Sequence, residues 1–175
     1  MKKFRVIYAD PPWKYDDPQN NKKLGGAVKH YQTLSINDLC NFKINDIPIK
    51  DISEKNAILF LWTTSPKLEE SFSVIKAWGF KYKTSFIWDK VKHNMGHYNS
   101  VRHELLLIAT KGKGNTPDLK PIKLFDSVRS IPRTKHSEKP EEFRNIIDTL
   151  YTKGNKIELF ARKKTDNWTA YGNEI

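Results

Sequence analysis

Five short apolar runs punctuate an otherwise polar chain, at Arg5–Ala9, Ala57–Trp62, Thr84–Trp88, Glu104–Ala109 and Lys156–Phe160. Most are continuous rather than alternating, which is the pattern of strands covered on both faces, so they predict a largely parallel sheet. Between them the apolar period changes to that of a helix. Leu68, Phe72, Ile75 and Trp78 recur at helical spacing behind Ser65-Pro66, a cap followed by a proline in the first turn, and Gly79 closes the segment. A second helix is predicted to start at Pro140, with Glu141 and Glu142 in its positively polarised first turn and Phe143, Ile146, Ile147 and Leu150 on one face. A shorter one starts at Ser35 and covers Ile36 and Leu39. Strands alternating with helices predict a doubly wound α/β sheet.

Three stretches, 16–33, 89–102 and 111–123, carry neither period and are expected to be loops. In open α/β sheets, ligands bind at the carboxyl ends of the strands, and all three loops can lie there. The chain has 175 residues, enough for one domain over 1–175 and too few for two ordinary ones. There is no repeat, no linker and no separate target-recognition domain in the pattern.

Composition narrows the class. At 38% apolar residues the chain is globular, and its longest apolar run, Ala57–Trp62, is far too short to span a bilayer. No signal-peptide pattern opens it, and its one cysteine, Cys40, forms no internal disulfide and no multi-cysteine metal site. A soluble, cytoplasmic protein with no membrane partner and no metal is the expectation. The net charge is +11, and it is uneven: residues 81–139 hold 13 Lys/Arg against five Asp/Glu, interleaved with Tyr82, Trp88, His93, His97, Tyr98 and His103. Cations mixed with rings suit a nucleic-acid backbone and its bases.

Candidate chemistry sits at the two ends. Asp10-Pro11-Pro12-Trp13 follows the first predicted strand. Two prolines fix φ and remove two backbone donors, so the chain turns a rigid corner that offers a carboxylate, free carbonyls and a flat ring. A planar ligand with an exocyclic amine suits it. The last forty residues hold Lys139 just before a helix, Glu158-Leu159-Phe160-Ala161-Arg162 at a strand end, then Asn167-Trp168 and Gly172-Asn173-Glu174. Cations for a carboxylate, Asn and Glu for ribose hydroxyls and a ring for adenine together match an amino acid joined to a nucleoside. There is no Gly-x-Gly-x-x-Gly and no Walker lysine motif.

Asp10-Pro11-Pro12-Trp13, Tyr31-x-Thr33 with Leu34-Ser35, Lys139-Pro140-x-Glu142, Glu158-Leu159-Phe160-Ala161-Arg162 and Trp168-x-x-Tyr171-Gly172-Asn173-Glu174 occur in the order of, and together resemble, the MT-A70 family, adenine-N6 methyltransferases that use S-adenosylmethionine. The resemblance covers the whole chain and is nearest the compact bacterial and phage branch. It implies a single Rossmann-like methyltransferase domain with the catalytic motif ahead of the cofactor motif, a permuted order. It implies that Asp10 and Pro11 hold the target amino group, that Pro12 and Trp13 shape the base pocket, and that Tyr31 lies beside it. His97, Tyr98 and Arg102 would meet nucleic acid, and Glu104 occupies an acidic family position on that side. Asp10 and Lys139 would face the methionine end of the cofactor, with Phe160, Arg162, Asn167, Asn173 and Glu174 along its remainder. One departure is that only nine residues precede Asp10 here, so an adenine contact made by an earlier segment in larger relatives is missing or comes from elsewhere. The partner implied is DNA. RNA adenosine is the alternative substrate, a non-catalytic nucleic-acid-binding subunit is the alternative class, and a second copy or helper subunit would assist target reading.

Overall fold

A computed structural model describes residues 2–15, 33–94, 98–113, 115–118, 125–133, 138–173 and 175. The chain order is β1 (Phe4–Ala9), α1 (Ile36–Cys40), β2 (Lys43–Ile44), β3 (Ile47–Pro48), α2 (Ile49–Ile52), β4 (Ser53–Thr63), α3 (Leu68–Ala77), β5 (Lys81–Asn94), β6 (Val101–Lys111), β7 (Val128–Ser130), α4 (Glu141–Leu150), β8 (Lys156–Leu159) and β9 (Thr169–Tyr171). Seven strands form one sheet in the order β7-β5-β6-β4-β1-β8-β9, and β2 and β3 form a small hairpin apart from it.

The expected doubly wound α/β architecture is present, with helices on both faces. Along β1 and β4, alternate residues serve different cores. Ile7, Ala9, Leu59 and Leu61 pack with Leu39, Val74, Ile75 and Trp78, under α1 and α3. Val6, Tyr8, Ile58, Phe60 and Trp62 pack with Phe143, Ile146 and Ile147 of α4. Burial on both sides is why these runs are continuously apolar.

Four features depart from the sequence expectations. First, β6 runs antiparallel to both β4 and β5, so the sheet is mixed. A strand buried on both faces reads the same in either direction. Second, most of the expected loop 89–102 is strand, because β5 continues to Asn94 and β6 begins at Val101. This ribbon outruns the rest of the sheet and has little core to face, so its residues are polar. Third, the described residues of stretch 111–123, which are 111–113 and 115–118, follow an antiparallel strand and so lie at the opposite edge from the carboxyl ends. There Asp118 accepts two hydrogen bonds from the Arg5 guanidinium at 2.8 Å, at the start of β1. Fourth, the α3 face is rotated. Phe72 is 40% exposed against Tyr82, while Ser71 is fully buried because its hydroxyl bonds both the Lys67 carbonyl and Thr63 Oγ1 at 2.6 Å. Nor does Ser65 cap this helix. It begins a 3-10 turn, Ser65–Lys67, and its hydroxyl meets His103 Nε2 at 3.1 Å.

Register aligns the site. Ala9 pairs with Leu61 of β4 and with Leu159 of β8, and Leu159 pairs with Tyr171 of β9. The next residues, Asp10, Trp62, Phe160 and Gly172, therefore stand in a row at the carboxyl edge. Antiparallel β6 brings its early residue Glu104 to the same edge, opposite Trp88.

Candidate active site

The corner after β1 is tighter than its sequence suggests. The Trp13 N–H donates to the Pro11 carbonyl at 2.9 Å, the Leu34 N–H to the Pro12 carbonyl at 2.8 Å, and the Lys14 N–H to the Leu34 carbonyl at 3.1 Å. Leu34 thus clamps Pro12–Lys14 just ahead of α1, whose first turn is fixed by a reciprocal capping box between Ser35 and Asp38. The Trp13 ring is not presented to solvent. It is buried in the α3-side core, and its indole N–H donates to the Trp62 carbonyl at 3.1 Å. The aromatic that the corner does offer is Tyr15, two residues on. This residue is 41% exposed, and its hydroxyl is held 2.6 Å from Thr64 Oγ1.

Asp10 meets Lys139 across the site. Nζ of Lys139 donates to Asp10 Oδ2 at 2.8 Å and lies 3.3 Å from Glu104 Oε2. Glu104 is held on its other side by Lys90. The result is an alternating row, Asp10–Lys139–Glu104–Lys90, drawn from β1, the segment before α4, β6 and β5. Its side chains are between 10% and 23% exposed. Each ammonium rests on an indole, Lys139 over Trp62 at 5.6 Å and Lys90 over Trp88 at 5.3 Å, and these two rings meet edge to face at 6.1 Å.

The row separates the two carboxyl groups electrostatically. Burial pushes the Asp10 carboxyl above the usual aspartate range and the nearby Glu104 charge adds to this, while Lys139 and the Arg162 charge pull it back without cancelling the rise. Burial also acts on Glu104, but two ammoniums outweigh it and hold that carboxyl below its ordinary value. Lys139 is held above the usual lysine range, because Asp10 and Glu104 together exceed the cost of its burial. A cation therefore stands between one carboxyl held below its ordinary range and one held above it.

The other candidates are less gathered. Phe160 follows β8 with φ at +61°, and its ring lies 4.7 Å from Phe42. Gly172 is fixed by close approach: a Cβ there would come within 2.1 Å of the Ala161 carbonyl oxygen, so only glycine lets the end of β9 close on the end of β8. Asn173 follows it and is exposed. Asn167 also has positive φ, in the exposed turn that leads to Trp168 and β9, where it serves the turn. On the ribbon, Arg102 is paired with Asp89 at 3.0 Å and Tyr98 is fully exposed. Tyr31, His97 and Glu174 lie outside the described residues.

Sequence reasoning missed Lys90, Trp62, Tyr15 and Phe42. A lysine in a chain with 31 Lys and Arg residues carries no signal of its own. Tyr15 could have been read from its place two residues beyond the corner. Among the described residues, no group of three His, Cys, Asp or Glu side chains could hold a metal ion, and no helix is long and apolar enough to cross a membrane.

The chain is 35% identical over 190 residues to the Type II methyltransferase M.MunI of Mycoplasma sp., covering 99% of this chain and 78% of that one. It is 28% identical to the human N(6)-adenine-specific methyltransferase METTL4, over 99% of this chain and 38% of the relative. It is also 28% identical to the human N(6)-adenosine-methyltransferase catalytic subunit METTL3, over 99% of this chain and 28% of the relative. The model of the MT-A70 family matches residues 4–174, and the chain belongs to that family.

Proposed function

We propose that this protein transfers a methyl group from S-adenosylmethionine to the N6 amino group of adenine in DNA. The observation that carries the reading is the Asp10 carboxylate, held at the carboxyl edge of the sheet by a buried ammonium. The preference for DNA rests on analogy with compact bacterial enzymes of this type.

The donor set fits the cofactor. An ammonium has three N–H donors, and Lys139 uses two on Asp10 and Glu104. The third can be directed to the carboxylate of the cofactor's methionine end. Phe160, Arg162, Asn173 and Glu174 are assigned to its nucleoside end, with Phe42 packed behind Phe160. When bound, S-adenosylmethionine supplies an electrophilic methyl group on a sulfonium sulfur, which calls for no metal and no covalent enzyme adduct.

Adenine N6 is a poor nucleophile because its lone pair is delocalised into the ring. Asp10 accepts a hydrogen bond from the amine and stabilises the positive charge that grows on nitrogen. The Pro11 carbonyl spends one lone pair on the Trp13 N–H and keeps the other for the second amine hydrogen. Trp13, anchored beneath on Trp62, sets the corner's angle, so base stacking passes to Tyr15 and Tyr31. Extruding adenine from a duplex costs a few kcal/mol, and each stacked ring returns about 1–3 kcal/mol. Tyr98 and Arg102, on the β5–β6 ribbon, are assigned to the nucleic acid around the target, and His97 is assigned there by its place in the sequence.

Labelled-methyl transfer to matched DNA and RNA oligonucleotides tests the substrate. Incorporation into DNA adenine is expected. Label that enters RNA alone would replace this reading with RNA adenosine methylation. Failure to bind the cofactor at all would leave a binding subunit.

A further inference from the structure

The row of charges has an end that the reaction chemistry does not account for. Lys90 is a lysine only 8% exposed, on a strand whose other buried residues on that face are apolar. Phe86, Trp88 and Lys90 occupy successive inward positions of β5 on the α4 side, and the third is charged. Immediately after it the strand breaks register. Val91 has φ at +66°, a left-handed conformation that costs a β-branched residue about 1–3 kcal/mol. Asp89 stabilises this bulge, accepting from the Val91 N–H at 3.0 Å while also binding Arg102 and the Ser130 hydroxyl. Bulges of this kind re-aim or end a strand beside functional sites. Here the bulge falls directly after the residue that ends the charged row. A buried lysine is costly unless paired, and its partner, Glu104, is the same carboxylate that steadies Lys139.

We propose that Lys90 is a positioning residue of the methyl-transfer site, acting through Glu104 to hold Lys139 against Asp10 and to keep Asp10 charged. The inference rests on the adenine-methylation reading above. Glu104 carries one negative charge between two ammoniums. Without Lys90, that charge is compensated by Lys139 alone, which draws Lys139 toward β6 and leaves Asp10 facing a more negative surface. Asp10 also faces Arg162 beyond β8, and Tyr8 and Tyr15 on its own side, none of which replaces the lost cation. The sign is therefore fixed: removing Lys90 favours protonated Asp10.

The test is Lys90→Met, with Lys90→Arg as rescue and Lys90→Gln as a second neutral variant should the first fold poorly. Two quantities are read against pH: the single-turnover rate of methyl transfer, and the carboxyl carbon resonance of Asp10 in cofactor-free protein, assigned with Asp10→Asn. Both neutral variants are expected to move the acidic limb of the rate and the Asp10 titration midpoint upward together. The rate loss is about tenfold on that limb, the effect of raising the Asp10 midpoint by about one unit, and it is recovered at alkaline pH. Lys90→Arg is expected to behave as wild type. A rate lowered equally at every pH, or an unmoved Asp10 midpoint, would overturn the proposal. A wild-type protein that methylates no adenine refutes the function itself, while the Asp10 titration, read without substrate, still decides whether Lys90 acts on Asp10.

Discussion

Replacing Lys139 with methionine keeps the aliphatic stem over Trp62 and removes only the charge. Nζ lies 2.8 Å from Asp10 and 3.3 Å from Glu104. At an effective dielectric near 20, those separations correspond to attractions of about 6 and about 5 kcal/mol before desolvation is subtracted. Deleting one partner of a buried pair costs about 3–5 kcal/mol when the other must stay charged. Asp10 need not stay charged. Its carboxyl is already pushed above the usual range by burial, and loss of the Lys139 cation raises it further, so proton uptake relieves part of the stability loss. The cost reappears in catalysis, because a neutral carboxyl no longer offers a charged acceptor to the amine. Loss of one preorganised group of this kind slows reaction by about 10²–10³-fold. Single-turnover methyl transfer at saturating cofactor, from pH 6 to 9, reads the effect. The expected result is a loss of about a hundredfold at pH 7 that shrinks as pH rises. A neutral-pH rate within about threefold of wild type refutes the argument, since Asp10 would then need no cation to stay ionised.

Other outcomes follow from the same structure. Gly172→Ala places a Cβ 2.1 Å from the Ala161 oxygen, forces the ends of β8 and β9 apart and loses the 3.0 Å Ala161–Tyr171 backbone bond. It should lower the melting temperature by roughly 3–10 °C and weaken cofactor binding by calorimetry, and unchanged values in both would remove the close-approach argument. Asp118→Asn breaks the clamp on Arg5 at the far edge and should cost about 1–3 kcal/mol at neutral pH without slowing methyl transfer. Asp118 is held down to about 2 by Arg5, so its contribution is complete above the ordinary aspartate value. The melting gap between wild type and variant should hold from neutral pH to about 4 and narrow as pH falls toward 2, whereas a gap that widened on acidification would contradict the sign.

The sheet was legible because both its faces are buried, which made each core strand a continuous apolar run. The same double burial hid the direction of β6, since a run without alternation carries no sign of its neighbours. The ribbon beyond Asp89 looked like a loop because strand residues with no core to cover have no reason to be apolar. At the site, Asp10 and Lys139 were legible because two prolines after an acid, and a lysine-proline before a helix, are locally unusual. The inward turn of the Trp13 ring was not, because it depends on the Trp62 carbonyl, which register delivers from another strand. Lys90 was invisible for the same reason, as its meaning lies in a carboxylate fourteen residues away on the antiparallel partner.

The central claim is that Asp10 activates adenine N6 for methyl transfer. The most direct measurement quantifies N6-methyladenine by mass spectrometry in duplex DNA incubated with S-adenosylmethionine and either wild type or Asp10→Asn, with cofactor affinity measured in parallel. Wild type should form the product. Asp10→Asn should fall at least a hundredfold, roughly the value of one preorganised charge, while still binding the cofactor. Asp10→Asn turnover equal to wild type would contradict the account.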